Sequence, residues 1–590
     1  MTARAGRVGA AWGAVCGVLA AAVAIGIAQL VAGVSIPNAS PVIAVGQVAI
    51  NLTPLPVKNW AISTFGSNDK NALLTGVVVV VFLYAIVVGI VAMRRLSYGF
   101  FGLAIFAVIG LAAALTRPNA TAGWAFPTVV GAAAGAFALY RLVIAARRVA
   151  LGSAAGAAGR PGATSASGEL PPIVFGGPEG GELRAPDLPD TPGEAGEPGQ
   201  PGQPGQHGQP GEVTAPEPPG ANVPALRVPA RPATPARRAF LLTAGASVAA
   251  AAIGEIGGRQ LATRRNVSMA RSAVRFPRPT VTAPPLPAGV NLPVPGISSF
   301  ITPNGQFYRV DIDLLVPQVD PSNWQLRIHG MVSREITVTF DELLKRPLIE
   351  DYITLCCVSN PVDGPYIGNA KWLGASLSSL LRQAGIQPGA SQLLCTSVDG
   401  FTSGTPVSVV MDGRDALVAV AMNGTALPQE HGFPARLVVP GLYGYVSACK
   451  WVTDIEVTTF EAAIPYWAQR GWSQQGPIKT ESRIDVPGSG SRVRAGRVAV
   501  AGVAWAQHKG IEAVEVQVDN GPWHEATLAT VPNLDTWRQW VWEWEAAGVG
   551  QHTIQARATD KTGYTQTALQ ADVAPNGASG YPSTQVTVYQ

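Results

Sequence analysis

Two adjacent cysteines end an apolar run in which the sequence reads YITLCCVSN. A thiolate is a soft, charged ligand that suits a high-valent transition metal, and it must face a pocket to bind one. The apolar run predicts a strand, whose successive side chains point to opposite faces. Either Cys356 or Cys357 can therefore face a pocket, while the other is a core residue. A vicinal redox pair or a shared metal is the alternative.

The surrounding residues, 352–381, read YITLCCVSNPVDGPYIGNAKWLGASLSSLL and resemble the sulfite oxidase family of molybdopterin-dependent oxidoreductases. The similarity is a Leu-x-Cys-x-Ser-Asn segment followed by Gly-Asn-x-x-Trp-x-Gly and a Leu-rich helix. In that family the cysteine gives its thiolate to molybdenum. Cys357 is the matching position, because Val358, Ser359 and Asn360 follow it with the family's spacing. The resemblance implies a molybdenum–molybdopterin cofactor and leaves Cys356 as a core residue.

A second block, HGFPARLVVPGLYGYVSACKW at residues 431–451, resembles the family's pterin-binding signature. The resemblance implies cofactor contacts from His431, Arg436 and Lys450. Arginine offers phosphate a planar fork of donors, and lysine offers a point charge. The spacing before the lysine is one residue longer than usual. Contacts from Ser447 and Cys449 are expected, but the resemblance does not fix which backbone groups between them bind.

Two weaker segments complete the expected site. In TPNGQFYR the family's cofactor-lining residues correspond to Asn304, Phe307, Tyr308 and Arg309. In CTSVDGF, Ser397 and Asp399 occupy the region where the family closes its pocket, and Asp399 is a catalytic candidate.

Several domains are needed to position these residues, since 590 residues are too many for one core. The resemblance implies an α+β molybdopterin domain at residues 300–465. A strand is predicted at 336–339, a capped helix at 339–344 and another helix at 377–384. Residues 478–590 are predicted to be β-rich, with period-two alternation after residue 491 and Asn520-Gly521 as a hairpin turn. They resemble the family's immunoglobulin-like dimerisation domain, a β-sandwich, which implies a homodimer.

The first 150 residues predict four transmembrane helices, at 8–34, 73–93, 98–116 and 124–146. Each is close to the roughly 20 apolar residues that cross a bilayer. Arginines at positions 4, 7, 94, 95, 147 and 148 flank one side of these spans. The positive-inside bias therefore predicts a cytoplasmic amino terminus and a multi-pass protein of the cell membrane, in contact with lipid.

A Gly/Pro-rich linker is predicted at residues 151–235, where glycine recurs at every third position from 193 to 211. A flexible spacer is favoured over a collagen-like helix. Residues 236–260 then predict a fifth transmembrane helix, or an internal twin-arginine export signal that begins at Arg237 and Arg238. Both alternatives place the catalytic domain on the extracytoplasmic side.

The composition excludes some partners and indicates others. A net charge of +4 and the lack of a basic stripe argue against nucleic acid, and five cysteines argue against a disulfide framework. There is no Cys-x-x-Cys-His motif, and the first 206 residues contain no histidine, so the predicted spans cannot hold a bis-histidine haem. A separate cytochrome or quinone-linked electron carrier is therefore predicted.

The function implied is a two-electron oxygen-atom transfer on a small molecule. Sulfite-oxidising members hold the anion with arginines, one of them just after the Cys-x-x-Asn, where this chain has Pro361 and Val362. Sulfite oxidation and the reduction of a neutral S-oxide or N-oxide both stay open. The alternative is an exported, cofactor-free binding protein that retains the fold. Such a protein would not need Cys357 together with Arg436 and Lys450.

Overall fold

The computed structural model describes residues 2–35, 39–54, 57, 69–117, 120–158, 235–264 and 267–590. Its amino-terminal part is helical, with α1 (Thr2–Val34), α2 (Pro41–Leu52), α3 (Asp69–Arg94), α4 (Leu96–Leu115), α5 (Ala125–Ala158) and α6 (Pro235–Arg264). Within the described residues, five helices are long and apolar enough to cross a membrane: Gly9–Val34, Ala72–Arg94, Leu96–Leu115, Ala122–Ala150 and Pro235–Gly258. The predicted spans therefore coincide with helices of sufficient length and hydropathy.

Helix α1 packs against α3 and α6 through small residues. A Cβ atom at Gly17 would overlap the carbonyl oxygen of Ala85 on α3, and one at Gly26 would lie 2.6 Å from the carbonyl oxygen of Ala251 on α6. Small residues at such contacts let helix backbones approach closely. Apolar helices associate in this way where the hydrophobic effect provides no driving force. The glycines of α1 therefore hold the bundle together.

The next part of the chain mixes strands with short helices. The strands are β1 (Gln325–Gly330), β2 (Ile336–Thr339), β3 (Leu348–Cys356), β4 (Ile367–Ser376), β5 (Gln392–Ser397), β6 (Thr402–Pro406), β7 (Leu417–Met422), β8 (Thr425–Ala426), β9 (Arg436–Val438) and β10 (Val452–Thr458). One sheet has the order β2-β1-β10-β5-β6 and the other β3-β4-β7-β8, with β9 paired to β7. The helices are α7 (Ser268–Ala273), α8 (Phe340–Leu344), α9 (Leu377–Ala384), α10 (Val407–Val410) and α11 (Gly444–Ser447). This arrangement is α+β, as predicted.

The local signals in this region are confirmed. Thr339 and Glu342 form a capping box at the start of α8. In α9 the apolar residues recur at helical spacing and are fully buried, namely Leu377, Leu380, Leu381 and Ala384. Helix α9 thus covers the core from which β3 delivers the two cysteines.

The carboxy-terminal part is built of strands: β11 (Glu481–Val486), β12 (Arg492–Arg494), β13 (Gly496–Trp505), β14 (Ile511–Val518), β15 (His524–Glu525), β16 (Thr527–Leu528), β17 (Arg538–Ala546), β18 (Gly550–Asp560) and β19 (Ser583–Tyr589). They form sheets of order β11-β13-β17-β16 and β12-β19-β18-β14-β15. Both sheets contribute to one buried cluster, for example Val500 and Trp540 from the first and Val514 and Ile554 from the second. The β-rich prediction is confirmed, and the immunoglobulin-like assignment stays a prediction.

The predicted hairpin turn exists but is displaced by one residue. Strands β14 and β15 are antiparallel, and the Gly521 amide donates to the Val518 carbonyl at 2.8 Å. The central residues are therefore Asp519 and Asn520, with φ of 51° and 58°. Asparagine and aspartate tolerate this left-handed region well enough to form a hairpin turn without glycine at its centre.

The two strand-rich parts share a continuous core. The Trp537 indole donates to the Phe300 carbonyl at 2.9 Å. The Thr354 hydroxyl accepts from the Trp537 amide at 2.8 Å, and its carbonyl accepts from Gln507 at 3.1 Å. Because Thr354 lies in β3, these contacts fix the strand that ends at the cysteine pair.

Two predictions concern residues at the edge of the described ranges. Most of the predicted linker, residues 159–234, lies outside the described residues, and α5 continues into its first part, through Ala158. Arg237 and Arg238 lie in the first turn of α6.

Candidate active site

A cavity of about 170 Å³ lies where β3 ends, opposite the block that carries β9 and α11. It brings together predicted site residues that are far apart in sequence: Phe307, Tyr308, Cys357, Ser397, Asp399, His431, Arg436 and Lys450. A concave site lined by apolar groups with a few converging polar ones is typical of a cofactor or substrate pocket.

The two cysteines at the end of β3 have different surroundings. Cys356 is fully buried within the apolar core, whereas Cys357 lines the cavity. The Cys357 Sγ lies 3.0 Å from the Ser359 Oγ. Burial raises the pKa of the Cys357 thiol, although Ser359 and the charge of Lys450 act in the opposite direction. The thiol is therefore protonated when no metal is bound, and a metal would displace that proton.

The two predicted phosphate ligands are neighbours. Arg436 and Lys450 form an isolated antiparallel bridge. Gly432 lies between them with a φ of 110°, and a Cβ atom there would be 3.0 Å from the Arg436 Cβ and 3.2 Å from the Lys450 Cβ. Both the backbone conformation and the close approach require glycine at this position.

Arg436 is a buried cation beside the cavity. Its guanidinium donates to the carbonyls of His431 at 3.1 Å, Ala448 at 3.3 Å and Leu437 at 3.3 Å, and it lies 5.2 Å from the Trp372 ring centroid. These acceptors are all uncharged, and burial lowers the pKa of Arg436 to about 10. The side chain stays charged at neutral pH. An anion in the cavity would offset the cost of burying this charge.

Lys450 is tied to the loop that precedes β1. Its Nζ lies 3.1 Å from the Asp311 Oδ2 and donates to the Glu430 carbonyl at 3.3 Å. The same Asp311 oxygen accepts from the Arg309 Nε at 2.6 Å. Burial lowers the pKa of Lys450 to about 8, while Asp311 acts to raise it. One carboxylate thus faces two cations on this side of the cavity.

His431 is held as a neutral ring. Burial, assisted by the nearby charge of Arg436, lowers the pKa of His431 to about 4. Its Nε2 lies 3.1 Å from the Asn304 carbonyl oxygen. A carbonyl can only accept, so Nε2 carries the proton and Nδ1 is the free acceptor.

Two further predicted residues, Asp399 and Tyr308, line the cavity. Asp399 accepts from the Phe401 amide at 3.0 Å, and burial raises the pKa of its carboxyl. Burial also raises the pKa of Tyr308, whose ring is stacked on Phe307 with centroids 5.3 Å apart. Tyr308 is therefore a neutral phenol beside Cys357.

Four predicted residues do not line the cavity with their side chains. The Asn304 side chain contacts Asn423 at 2.7 Å, and Arg309 points to Asp311. The Ser447 hydroxyl donates to the carbonyls of Leu442 and Tyr443, both at 3.1 Å, and the Cys449 thiol is fully buried. Arg309 supports Asp311, which lines the cavity, and contacts from the backbone groups of all four residues stay a prediction.

Sequence reasoning missed an aromatic wall formed by Phe401, Tyr445, Trp467 and Trp472. The Trp467 and Trp472 ring centroids are 6.0 Å apart, and those of Tyr445 and Trp472 are 6.3 Å apart. The available signal was PYWAQRGW, a Trp-rich loop between two strand-rich regions with no periodicity that would assign it to a core.

Comparisons with known proteins find one matching family model and several similar proteins. The model of the oxidoreductase molybdopterin binding domain matches residues 313–466. Sulfite oxidase of Rattus norvegicus mitochondria is 30% identical over 39% of this chain and 50% of its own length. Nitrate reductase [NADH] 1 of Oryza sativa subsp. japonica is 32% identical over 28% of this chain and 20% of its own. The sulfane dehydrogenase SoxCD of Paracoccus pantotrophus is a structural match at 26% identity, covering 46% of this chain and 76% of that one, with a TM-score of 0.42.

The chain spans half the length of the rat relative and a fifth of the rice relative. The matched family domain ends at residue 466 and includes Cys357, Arg436 and Lys450. The matched family domain therefore includes part of the cavity.

Proposed function

We propose, on the premise that this chain belongs to the sulfite oxidase family of molybdopterin-dependent oxidoreductases, that it transfers an oxygen atom to or from a small molecule in a two-electron reaction. The observation that carries the proposal is one cavity onto which a cysteine thiol, a buried arginine and a half-buried lysine converge. Cys357, Arg436 and Lys450 all line it.

The residues of this cavity fit a molybdenum–molybdopterin cofactor. Arg436 is 5% exposed and has only neutral acceptors within the described part of the chain, so it lacks the anion that a phosphate would supply. Cys357 would give a thiolate to the metal, and Arg436 with Lys450 would hold the phosphate. When bound, that cofactor would supply the two-electron redox chemistry.

The surrounding side chains prepare the cavity for that reaction. Reduction of an oxide consumes two protons and two electrons and releases water. Asp399, whose pKa is raised by burial, would hold a proton for the departing oxygen. The aromatic wall, which includes Trp467 and Trp472, would exclude bulk water from the substrate.

The cavity favours a neutral oxide over sulfite as substrate. Within the described residues, the cations that line it are Arg436 and Lys450, and both are assigned to the cofactor. A cation at about 4 Å from an anion contributes roughly 4 kcal/mol at an effective dielectric near 20, which is about 1,000-fold in affinity. Without a further cation, sulfite would bind weakly beside Phe401, Trp467 and Trp472.

The proposal is tested by metal analysis and by a comparison of two half-reactions on the purified chain. We expect stoichiometric molybdenum. Dimethyl sulfoxide or trimethylamine N-oxide, with a reduced viologen dye as donor, should give a kcat/KM at least about 100-fold above that for sulfite with ferricyanide as acceptor. Sulfite turnover with a micromolar KM would overturn the substrate assignment. Protein without molybdenum would instead support the cofactor-free binding protein.

The helix arrangement supports an extracytoplasmic catalytic domain in a multi-pass membrane protein. The Trp12 and Phe240 rings are 4.6 Å apart, so α1 and α6 begin on the same side. A Cβ atom at Gly33 would meet Gly258, so the two helices also end together. The chain thus leaves α6 on the side opposite the amino-terminal ends of α1 and α6. Those ends carry arginines at positions 4, 7, 237 and 238, and the positive-inside bias assigns them to the cytoplasm.

Reporter fusions test this topology. A reporter that is active only outside the cytoplasm should be active after residue 590 and silent near residue 200. Changing Arg237 and Arg238 to lysine should block export of the catalytic domain while the first four spans insert. Normal export in that double variant would exclude the twin-arginine signal and leave an ordinary membrane anchor.

The remaining partners follow from the same family membership. Two-electron chemistry needs a redox partner, and we assign this role to a separate cytochrome or quinone-linked carrier. Residues 478–590 would serve as an immunoglobulin-like dimerisation domain and give a homodimer.

A further inference from the structure

The loop of residues 310–314 forms one wall of the cavity. Val310, Asp311 and Ile312 line it, and Asp311 holds Lys450 at 3.1 Å. These residues belong to no helix or strand, so the hydrogen bonds of regular secondary structure do not fix their position. Contacts from elsewhere have to hold this wall in place.

Those contacts come from the membrane region. The Gln47 amide on α2 donates to the Ile312 carbonyl at 3.0 Å. Arg117, two residues beyond α4, donates to both carboxylate oxygens of Asp313 at 3.3 Å. A Cβ atom at Gly46 would lie 2.8 Å from the Leu314 Cδ1. The Leu314 side chain therefore packs directly against the α2 backbone. Three consecutive residues of the loop are therefore held by the two helical segments.

The ion pair in this contact is buried. The Arg117 and Asp313 side chains are 6% and 2% exposed. Removing one partner of a buried pair is strongly destabilising, because the other buried charge loses its charge-assisted hydrogen bonds. Without Arg117, the buried Asp313 carboxylate close to Asp399 would lose two of these bonds, which would favour movement of the loop towards solvent. That movement carries Asp311 away from Lys450.

We propose that Arg117 and Asp313 are a positioning pair through which the membrane region holds the loop of residues 310–314, and with it the Asp311 wall of the cavity. The expected effect on catalysis rests on the proposed function. The expected effect on the shape of the cavity does not, since it can be measured at the Cys357 thiol without turnover.

The test uses the full-length chain and two measurements. The first is the rate at which iodoacetamide alkylates Cys357 in cofactor-free protein, followed by mass spectrometry. The second is kcat and KM for dimethyl sulfoxide in cofactor-loaded protein. In Arg117→Gln and in Asp313→Asn, a loosened wall should accelerate alkylation at least about tenfold, because local opening governs access to a buried group. It should raise KM roughly tenfold with kcat within about threefold, since the wall shapes the cavity and does no chemistry.

Two further variants separate positioning from general loosening. The charge-exchanged double variant, Arg117→Asp with Asp313→Arg, should return both measurements towards the wild-type values. Arg94→Gln changes an exposed arginine at the opposite end of the helices and should leave both unchanged. Alkylation within about twofold of wild type in Arg117→Gln, or equal acceleration in Arg94→Gln, would overturn the proposal. Faster alkylation in protein that never contains molybdenum would uphold the positioning pair and refute the proposed function.

Discussion

Replacing Cys357 by serine is expected to lower turnover by more than about 100-fold while the protein stays folded and retains most of its pterin. Loss of an outer-shell partner of a metal ligand already costs about 10–100-fold, so loss of the ligand itself should cost more. Serine oxygen is a harder and poorer electron donor than thiolate sulfur, so the metal's redox potential should change. The measurements are activity with an artificial electron carrier, thiolate-to-metal charge-transfer absorbance and molybdenum content.

Cys356→Ser is the matched control, since Cys356 is the last residue of β3 and Cys357 follows it directly. Cys356 is fully buried in the core and does not line the cavity. A hydroxyl there should cost about 1–3 kcal/mol of stability and leave the charge-transfer band intact. Full activity in Cys357→Ser, or a lost band in Cys356→Ser alone, would assign the metal to the other cysteine.

Local rules predicted the elements that position these cysteines. The capping box at Thr339 and the apolar spacing of α9 depend on residues three or four apart, so the sequence carries them directly. Strand alternation likewise separates Cys356 from Cys357, whatever the rest of the chain does. The hairpin at Asp519 and Asn520 was displaced by one residue because Asn-Gly is only a statistical preference for a turn.

The parts of the site that the sequence did not predict depend on contacts between distant segments. Asp311 is an ordinary loop carboxylate in sequence, and only the fold brings it to Lys450. Trp467 and Trp472 belong to a loop without periodicity, so neither pattern nor spacing assigned them to the cavity. The Arg117–Asp313 pair joins residues 196 positions apart in different regions of the chain. Such pairings are fixed by tertiary packing, on which a local pattern carries no information.

Replacing Arg436 by alanine is expected to empty the cavity of its cofactor. A phosphate held by this guanidinium would lose two charge-assisted hydrogen bonds of about 1.5–3 kcal/mol each, which is at least roughly 100-fold in affinity. Molybdenum and pterin content of the purified chain should fall together, and activity per chain should fall in proportion. Activity per bound molybdenum should change little, since Arg436 is assigned to holding the cofactor and not to its chemistry.

Two arginine controls separate a phosphate ligand from a structural residue. Arg436→Lys keeps the charge without the planar fork and should retain an intermediate amount of cofactor. Arg327→Ala removes an arginine that is 49% exposed and paired with Glu335, and it should leave cofactor content unchanged. Arg436 donates to three backbone carbonyls, so a purely structural role would lower the thermal unfolding temperature of cofactor-free Arg436→Ala protein. Full molybdenum content in Arg436→Ala would show that another group binds the phosphate, and Lys450 would then be the first residue to substitute, because it is the other cation on the cavity wall.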